Sequence, residues 1–313
     1  MEQVRSGLAE TSHDGAVAVL DPEGGLLARH GDIDRPFFIR SAAKPFQALV
    51  SQEAGAGLTP QELAIACSSH RGLPVHVAMV ETILAGAGLD ESALQCPPDW
   101  PISPVAARLV QRQGATGPRR LWHNCSGKHS GFLRACVAQG WPVDSYLDPN
   151  HPLQRRVVEL VSEVGGLSVE PVGVDGCGAP VLRTTTRAMG LLFARLATEP
   201  RFTGIFTAMH TYPALIAANG EADTEIAVAI DAVAKGGAAG CLGVAVHRRM
   251  GVAVKSWDGL GSVAGTTAAR ALAMLDLLPP AAEAALEPIL HPQVLGGGRP
   301  VGELESRFVL GTP

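Results

Sequence analysis

The chain has 313 residues, of which 46% are hydrophobic and 18% are charged, so it is long enough to bury a large core. Its formal net charge of −5, with arginines scattered along the chain, argues against a nucleic-acid partner. Glycine and proline together make up about a fifth of the residues, which is less than in low-complexity chains and excludes disorder as the general description.

The apolar segments are too short to cross a membrane. The most apolar one, residues 236–246, has about half of the ~20 residues that a spanning helix needs. The first residues carry no charged-then-apolar export signal. We therefore expect a cytoplasmic protein without a membrane partner, whose six cysteines stay reduced.

The N-terminal part predicts a β-hairpin, because two apolar runs, residues 16–20 and 26–30, flank a turn that contains Pro and Gly. A short strand over residues 37–39 and a helix over residues 42–53 follow. The next helix begins after Thr59, where a Thr-Pro-Gln-Glu run forms a capping box.

Helical spacing of apolar residues dominates the middle of the chain, and strand-like alternation returns near its end. The predicted helices of the middle part are residues 74–86, 103–113, 127–139, 152–164, 184–196, 206–218 and 225–235. The predicted C-terminal elements are a hairpin over residues 241–247 and 252–256, a helix over residues 266–278 and a final strand over residues 307–310.

Strands at both ends of the chain with helices between them predict an α+β fold. One antiparallel sheet would be assembled from the two chain ends, and a mostly helical insert would separate them. A doubly wound fold is excluded, because the strands occur as hairpins without β-α-β alternation. The predicted organisation is a single domain over residues 1–313 with a sheet lobe (residues 1–60 and 236–313) and a mostly helical lobe (residues 61–235).

Ser41 and Lys44 are the first candidates for chemistry, since their spacing places a hydroxyl and an amine on one face of a helix. A serine needs a base to become a nucleophile, and a lysine can serve if burial lowers its pKa. The apolar residues around this segment make burial plausible. The S-x-x-K pattern is weak, and on its own it more often marks a capping serine and a surface lysine.

Two further polar segments could line a cleft. Residues 67–72 contain Ser69 and His70 where an apolar helix ends, although a simple helix-ending turn explains them equally well. Lys255 lies on a predicted strand of the C-terminal hairpin, where a lysine is usually a solvated edge residue.

A glycine-rich polar segment, residues 122–131, leads into a helix, so its backbone N–H groups and the positive helix end face any ligand there. The same position lowers the pKa of Cys125. A second tight turn, residues 175–180, holds Cys177. Two thiolates and a nearby nitrogen could hold zinc, although no C-x-x-C pair supports this. We expect ordinary packing roles for three further cysteines, namely Cys96, Cys136 and Cys241.

Five segments in this order closely resemble the Rhizobium etli-type L-asparaginases, the class 3 enzymes of the asparaginase II family. They are residues 40–47, 67–72, 123–129, 175–180 and 255–259. The resemblance extends over roughly residues 4–310. It implies a fold like that of serine β-lactamases and penicillin-binding proteins, hydrolysis of L-asparagine to L-aspartate and ammonia, and a homodimer.

The resemblance also assigns residues. It implies two Ser–Lys tandems, one of Ser41 with Lys44 and one of Ser69 with Lys255, and a zinc site formed by Cys125, Lys128 and Cys177. Candidates for binding the charged α-groups of the substrate are Arg40, His70, His129 and Asp175. The expected reaction forms an acyl-enzyme on one serine, with Ser41 as the first candidate for the nucleophile and Ser69 as the second. Lys44 would be the general base, and zinc would position the substrate.

Three alternatives stay open. A glutaminase differs by one methylene of substrate, which is worth only about 1–3 kcal/mol in a pocket. A β-lactamase or DD-peptidase would need Lys-Thr-Gly or Lys-Ser-Gly on a strand, whereas Lys255 is followed by Ser256 and Trp257. A zinc-stabilised domain could also bind an amino acid without turning it over.

Overall fold

The structure describes residues 1–312. Its two large sheets are antiparallel, and helices lie between their strands along the chain. The predicted α+β class is therefore confirmed. The strands are β1 (Glu2–Arg5), β2 (Leu8–Ser12), β3 (Gly15–Leu20), β4 (Leu26–His30), β5 (Phe37–Phe38), β6 (Gly173–Val174), β7 (Pro180–Val181), β8 (Arg183–Thr184), β9 (Ala232–Gly237), β10 (Cys241–Val246), β11 (Met250–Ser256), β12 (Gln293–Gly296) and β13 (Arg299–Glu305).

The helices are α1 (Lys44–Ser51), α2 (Pro60–Cys67), α3 (Pro74–Ala85), α4 (Pro104–Arg112), α5 (Ser126–Gln139), α6 (Pro152–Gly165), α7 (Thr186–Thr198), α8 (Thr203–Thr211), α9 (Pro213–Ile216), α10 (Ala222–Ala229), α11 (Gly261–Met274) and α12 (Pro280–Leu290). Among residues 1–312, no helix combines the length and the apolar character needed to cross a bilayer.

The central sheet has the strand order β4-β3-β11-β10-β9, so N-terminal and C-terminal strands lie side by side. The register pairs Ala16 with Lys255 and Leu20 with Gly251 on β3 and β11. This confirms the prediction that both ends of the chain build one antiparallel sheet.

A second sheet, in the order β12-β13-β1-β2, also joins the two ends of the chain and was not predicted. Its N-terminal strands are polar, with every residue of Leu8–Ser12 exposed, so they lack the alternation that marks a half-buried strand. The predicted final strand over residues 307–310 is wrong, because the chain is irregular there and pairs earlier, through Arg299–Glu305.

Two predicted helices are corrected. The helix predicted over residues 225–235 ends at Ala229, and the chain continues as strand β9, because a short apolar run fits either element. The helix predicted over residues 206–218 is two helices that meet at Pro213, whose missing N–H cannot continue the hydrogen-bond ladder.

The chain forms two compact units. The first contains residues 1–42, 184–203 and 219–313, with both large sheets, and the second contains residues 43–183 and 204–218, which are mostly helical. Three segments lie in the other unit than predicted, namely residues 43–60, 184–203 and 219–235. The second of them contains α7, which packs on β3, β10 and β11.

Both faces of the central sheet are buried within the first unit. On β3, Val17 and Val19 belong to a large cluster with α11 and α12, while Ala16, Ala18 and Leu20 pack on the opposite side. Successive side chains of a strand point to opposite faces, so this apolar segment packs against both sides of the sheet.

Helix α7 approaches the central sheet closely where Gly190 of the helix faces Gly251 of β11. A Cβ on Gly251 would stand 2.1 Å from the Gly190 carbonyl oxygen and 2.3 Å from the Ala194 nitrogen. Both are backbone atoms, which cannot move aside as the end of a flexible side chain can. The small residues therefore set the distance between this helix and the sheet.

We predict that Gly251→Ala lowers the free energy of unfolding by about 3 kcal/mol or more, because the added methyl forces backbone apart in a packed core. Urea unfolding followed by circular dichroism measures the change. Gly261→Ala is the matched control, since its Cβ would meet nothing within 4 Å at the start of α11. Equal midpoints for the two variants would contradict the close approach.

Candidate functional site

In the second unit, the amine of Lys44 is held against the Ser69 hydroxyl. Lys44 begins α1 and is 1% exposed. Its Nζ donates to the Ser68 carbonyl oxygen at 2.6 Å, to Ser69 Oγ at 3.1 Å and to the Asn124 carbonyl oxygen at 3.4 Å. A lysine three residues after a serine is therefore buried beside a different serine, 25 positions further along the chain.

The end of α2 separates the roles of the two adjacent serines. The Ser68 hydroxyl is buried and donates to the Ile65 carbonyl oxygen at 2.7 Å, so it completes the helix end. Ser69 is half-buried, and its N–H donates to the Ile216 carbonyl oxygen at 2.9 Å. Ser69 is thus the candidate for chemistry, and its own backbone N–H is already occupied.

His70 is buried with both ring nitrogens occupied. Nε2 lies 2.8 Å from Ser126 Oγ, whose proton goes to the Leu121 carbonyl oxygen, and Nδ1 accepts from the Gly72 N–H at 3.2 Å. Burial holds the pKa of His70 well below its usual value. A neutral ring with no free nitrogen is part of the packing, so we no longer expect His70 to bind substrate.

A sulfur–nitrogen cluster lies in the same unit. Cys125 is the N-cap residue of α5, Lys128 lies on the first turn of that helix, and Cys177 lies in the turn between β6 and β7. Lys128 Nζ donates to Cys177 Sγ at 3.1 Å. The three side chains are almost fully buried, at 5%, 3% and 2% exposure respectively. Gly178, with φ +84°, closes the turn that presents Cys177.

The charges in this cluster support one another. The hydrogen bond with Cys177 holds the pKa of the Cys125 thiol well below its usual value against the effect of burial, and Lys44 and Lys128 act in the same direction. Burial lowers the pKa of Lys128, but the two sulfurs outweigh it and the net direction is upward. The predicted lowering of the Cys125 pKa is confirmed, and neighbouring side chains account for it.

The donor set of this cluster fits a zinc ion. Two sulfurs and one amine nitrogen are soft or borderline ligands of the kind that zinc prefers. Among residues 1–312, no group of three His, Cys, Asp or Glu side chains is placed to hold a metal, so a metal here would need Lys128 as a ligand. The lysine would have to lose its proton, which the charge of a bound cation favours.

Two predicted substrate-binding residues adjoin this cluster. Asp175 is half-exposed in the same turn, and its Oδ2 lies 4.0 Å from Cys177 Sγ. His129 follows Lys128 on α5 and is fully buried, and burial lowers its pKa to about 4. Its Nδ1 lies 2.7 Å from the Tyr146 hydroxyl, and its interaction with the Cys177 side chain raises the pKa against the larger effect of burial.

In the first unit, Ser41 lies in a short 3₁₀ turn over Arg40–Ala43. Arg40 has φ +53°, a left-handed conformation that is strained for a residue with a side chain. The preceding Ile39 carbonyl accepts from Cys241 Sγ at 3.3 Å, so strand β10 holds this segment. Ser41 and Arg40 are both half-buried.

Lys255, on β11 in the first unit, is buried and not a solvated edge residue. Its Nζ donates to the carbonyl oxygens of Ala239 and Ser256, at 2.5 Å each, and lies 5.6 Å and 5.2 Å from the ring centres of Phe37 and Trp257. Burial lowers its pKa. Its tandem with Ser69 stays a prediction.

A second buried lysine of the first unit was missed. Lys235 on β9 is 1% exposed and donates to Asp223 Oδ1 at 3.0 Å. Burial alone would raise the pKa of the Asp223 carboxyl, but this lysine has the opposite effect and the net direction is downward. Gly237, two residues on, approaches the Ile39 carbonyl so closely that a Cβ would stand 2.6 Å away. The Lys-Gly-Gly sequence after an apolar run is the signal that could have identified it, had the run been assigned to a strand.

The buried histidines predict a dependence of stability on pH. Burial lowers the pKa of His76 to about 4 from 6.5, so between these values the unfolded chain binds more protons and stability falls as the pH falls. We predict that His76→Gln removes about 2 kcal/mol of the stability lost between pH 7 and pH 5. Urea unfolding of both proteins at the two pH values tests this, and identical losses would contradict it.

Comparisons with known proteins add the following. The family model described as L-asparaginase II matches residues 1–306. No curated protein matches the sequence. Among solved structures, the native form of Mglu is 17% identical with a TM-score of 0.46, and the match covers 89% of this chain and 69% of that one. In a second Mglu structure the covered share is 63%, so the chain spans about two thirds of the Mglu length.

Two other solved structures match over most of their length. The Bacillus subtilis glutaminase YbgJ, in covalent complex with 5-oxo-L-norleucine, is 13% identical with a TM-score of 0.41, covering 89% of this chain and 93% of that one. A β-lactamase from Mycobacterium bovis is 17% identical with a TM-score of 0.43, covering 88% and 94%. These similarities are too distant to carry an argument about the site.

Proposed function

Since the chain belongs to the L-asparaginase II family and is an amidohydrolase, we propose that it hydrolyses the side-chain amide of L-asparagine to L-aspartate and ammonia. The observation that carries this proposal is the hydrogen bond of 3.1 Å between the buried Lys44 amine and the Ser69 hydroxyl. It joins a proton acceptor to an alcohol where water is largely excluded.

The contacts of Lys44 suit a general base. Its bonds to the carbonyl oxygens of Ser68 and Asn124 need two N–H groups, because a carbonyl can only accept. A neutral amine also carries one lone pair, and Nζ lies 3.1 Å from Ser69 Oγ. Lys44 in its neutral form is therefore close enough to take a proton from this hydroxyl.

We assign the two serines different tasks. Ser41 Oγ is proposed to attack the carboxamide carbon, and its proton is taken up by the Ser69–Lys44 pair. Lys44 then returns the proton to the leaving nitrogen, which departs as ammonia, and water hydrolyses the resulting ester to aspartate. The strained conformation of Arg40, directly before Ser41, is of the kind that clusters at active sites.

Zinc is proposed to bind through Cys125, Lys128 and Cys177, and its charge would help to position the substrate. Since the serines provide the nucleophile, no hydroxide from a metal-bound water is required. Asp175, His129 and Arg40 are proposed to hold the α-groups of the substrate. A homodimer is a prediction that the resemblance supports. The cytoplasmic location stays a prediction, and the choice between asparagine and glutamine stays open.

We expect Ser41→Ala to lower kcat by about 10³-fold or more, because it removes the nucleophile. Ser69→Ala and Lys44→Met should each lower it by about 10²- to 10⁴-fold, the usual contribution of proton transfer. A coupled ammonia assay with asparagine and glutamine side by side measures these effects. Acid-quenched mass spectrometry should find an adduct of asparagine minus ammonia on the peptide that contains Ser41.

Ser68→Ala is the matched control and should keep its activity within a few-fold, because its hydroxyl bonds only to a helix carbonyl. Full activity of Ser41→Ala, or an adduct on the Ser69 peptide, would reverse the assignment of the serines. Folded wild-type protein that binds asparagine and releases no ammonia would instead support the non-catalytic binding domain.

Metal content provides a separate test. We expect about one zinc per chain in the purified protein by elemental analysis, and a loss of it in Cys177→Ser. Cys136→Ala should keep the metal, since Cys136 is buried elsewhere and burial raises the pKa of its thiol to about 12. Wild-type protein that neither contains zinc nor takes it from a chromophoric chelator would refute the zinc site.

A further inference from the structure

The turn that carries Ser41 packs against the end of an edge strand, and both belong to the first unit. In the central sheet, β9 has only β10 beside it. A Cβ on Gly237, the last residue of β9, would stand 2.6 Å from the Ile39 carbonyl oxygen and 3.3 Å from the Ala42 nitrogen. The Ala42 N–H donates to the same carbonyl at 3.3 Å and closes the turn. Gly237 therefore lies against both backbone groups that bound the Ser41 turn.

This strand end is weakly ordered by its own sequence. Gly236 and Gly237 are consecutive glycines, and glycine loses more conformational freedom on folding than any other residue. A larger residue at Gly237 would restrict the chain, but its side chain would collide with the Ile39 carbonyl. A strand at the edge of a sheet also has a neighbouring strand on one side only. The position of Gly237 therefore depends on contacts outside the strand ladder as well.

A buried ion pair supplies such contacts at the neighbouring Gly236. Asp223 Oδ1 accepts from the Gly236 N–H at 2.6 Å and from Lys235 Nζ at 3.0 Å. Lys235 Nζ in turn donates to the Gly236 carbonyl oxygen at 2.8 Å. Both polar backbone groups of Gly236 are thus bound by one pair of side chains, directly before Gly237.

Stability alone is a weak reason for this pair. The side chains of Lys235 and Asp223 are 2% and 13% exposed, so both have lost most of their hydration. Replacement of a buried ion pair by apolar residues of similar volume is often neutral or stabilising, because the cost of desolvation offsets the attraction. Apolar residues could fill the same space, but they could not bind the two backbone groups of Gly236, because those groups need hydrogen-bond partners of defined direction.

We propose that Asp223 and Lys235 are positioning residues for the nucleophile: their bonds to Gly236 hold Gly237 against the turn and thereby fix Ser41 for attack. The pair acts through the backbone, so its loss should lower kcat and leave KM nearly unchanged, because a displaced nucleophile slows the chemical step. The effect on turnover rests on the proposed function, whereas the support of the turn can be measured without a substrate.

The first experiment compares Asp223→Leu/Lys235→Met with the wild type in steady-state hydrolysis of asparagine. The double variant removes both charges together and leaves no unpaired buried charge, so its urea midpoint should lie close to or above that of the wild type. We expect kcat to fall about 10- to 100-fold and KM to stay within about threefold. A merely structural pair would lower kcat only with stability.

Asp231→Asn is the matched control, since Asp231 precedes β9 and forms an exposed pair with His247 at the opposite end of the strand. It should leave kcat within about twofold. An unchanged kcat in the folded double variant would overturn the proposal, and so would a raised KM with an unchanged kcat. Should the double variant not fold, Lys235→Met alone removes the donor to the Gly236 carbonyl and should lower kcat about fivefold. A wild-type kcat in that variant would equally count against the pair.

The second experiment measures the support of the turn by hydrogen exchange, with deuterium uptake of the peptide over residues 37–43 followed by mass spectrometry. We expect faster uptake in the double variant, because the Ala42 N–H would open more often, and the wild-type rate in Asp231→Asn. Equal uptake in all three proteins would refute the support of the turn. Faster uptake in the double variant, combined with a wild type that does not hydrolyse asparagine, would refute the proposed function and leave the positioning of the turn standing.

Discussion

Burial of the Lys44 amine is the constraint around which the helical unit is arranged. Removal of an ammonium group from water costs several kcal/mol unless polar atoms replace the lost hydration. The replacements are backbone carbonyls at Ser68 and Asn124, which lie where α2 has ended and before α5 begins. Outside the helical ladders, these carbonyls are available as acceptors. Three helix ends therefore meet at one amine, and Ser69 is presented there as a consequence.

The amine of Lys128 is also buried, but sulfur atoms and not carbonyl oxygens are its partners. This amine donates to Cys177 Sγ, and the pKa of the Cys125 thiol is lowered first by its hydrogen bond with Cys177 and then by Lys44 and Lys128. The two sulfurs in turn raise the pKa of Lys128 despite its burial, so the amine and the Cys125 thiol favour each other's charged form. Such coupling is what a metal site requires, because the ligands are already gathered and partly charged before a cation binds.

The sequence predicted those parts of the fold in which local pattern and burial coincide. The hairpins around residues 16–30 and 241–256 are built from short apolar runs on either side of a turn and are confirmed. The strands Glu2–Arg5 and Leu8–Ser12 are polar and depend on partners from the opposite chain end, so no local signal marks them. In residues 225–235 a short apolar run fits helix and strand alike, and that ambiguity concealed Lys235.

Contacts in the site were less predictable than its residues, since the contacts join distant positions. The Lys44–Ser69 bond and the sulfur cluster each depend on tertiary packing that spacing does not encode. Arg40 illustrates the point in the backbone. Its left-handed conformation costs of order 1–3 kcal/mol, and no sequence signal predicts it at an arginine.

The surroundings of Arg40 explain how such strain persists. Cys241 donates to the carbonyl just before it, and the bare Cα of Gly237 lets strand β9 approach the same carbonyl more closely than any larger residue would allow. The turn carrying Ser41 is thus fixed by the edge of the central sheet, on the side where Lys235 is buried by its pair with Asp223. A nucleophile held on a strained but well-supported turn has little freedom to lose when it reacts, which is the physical advantage of building this segment against a sheet.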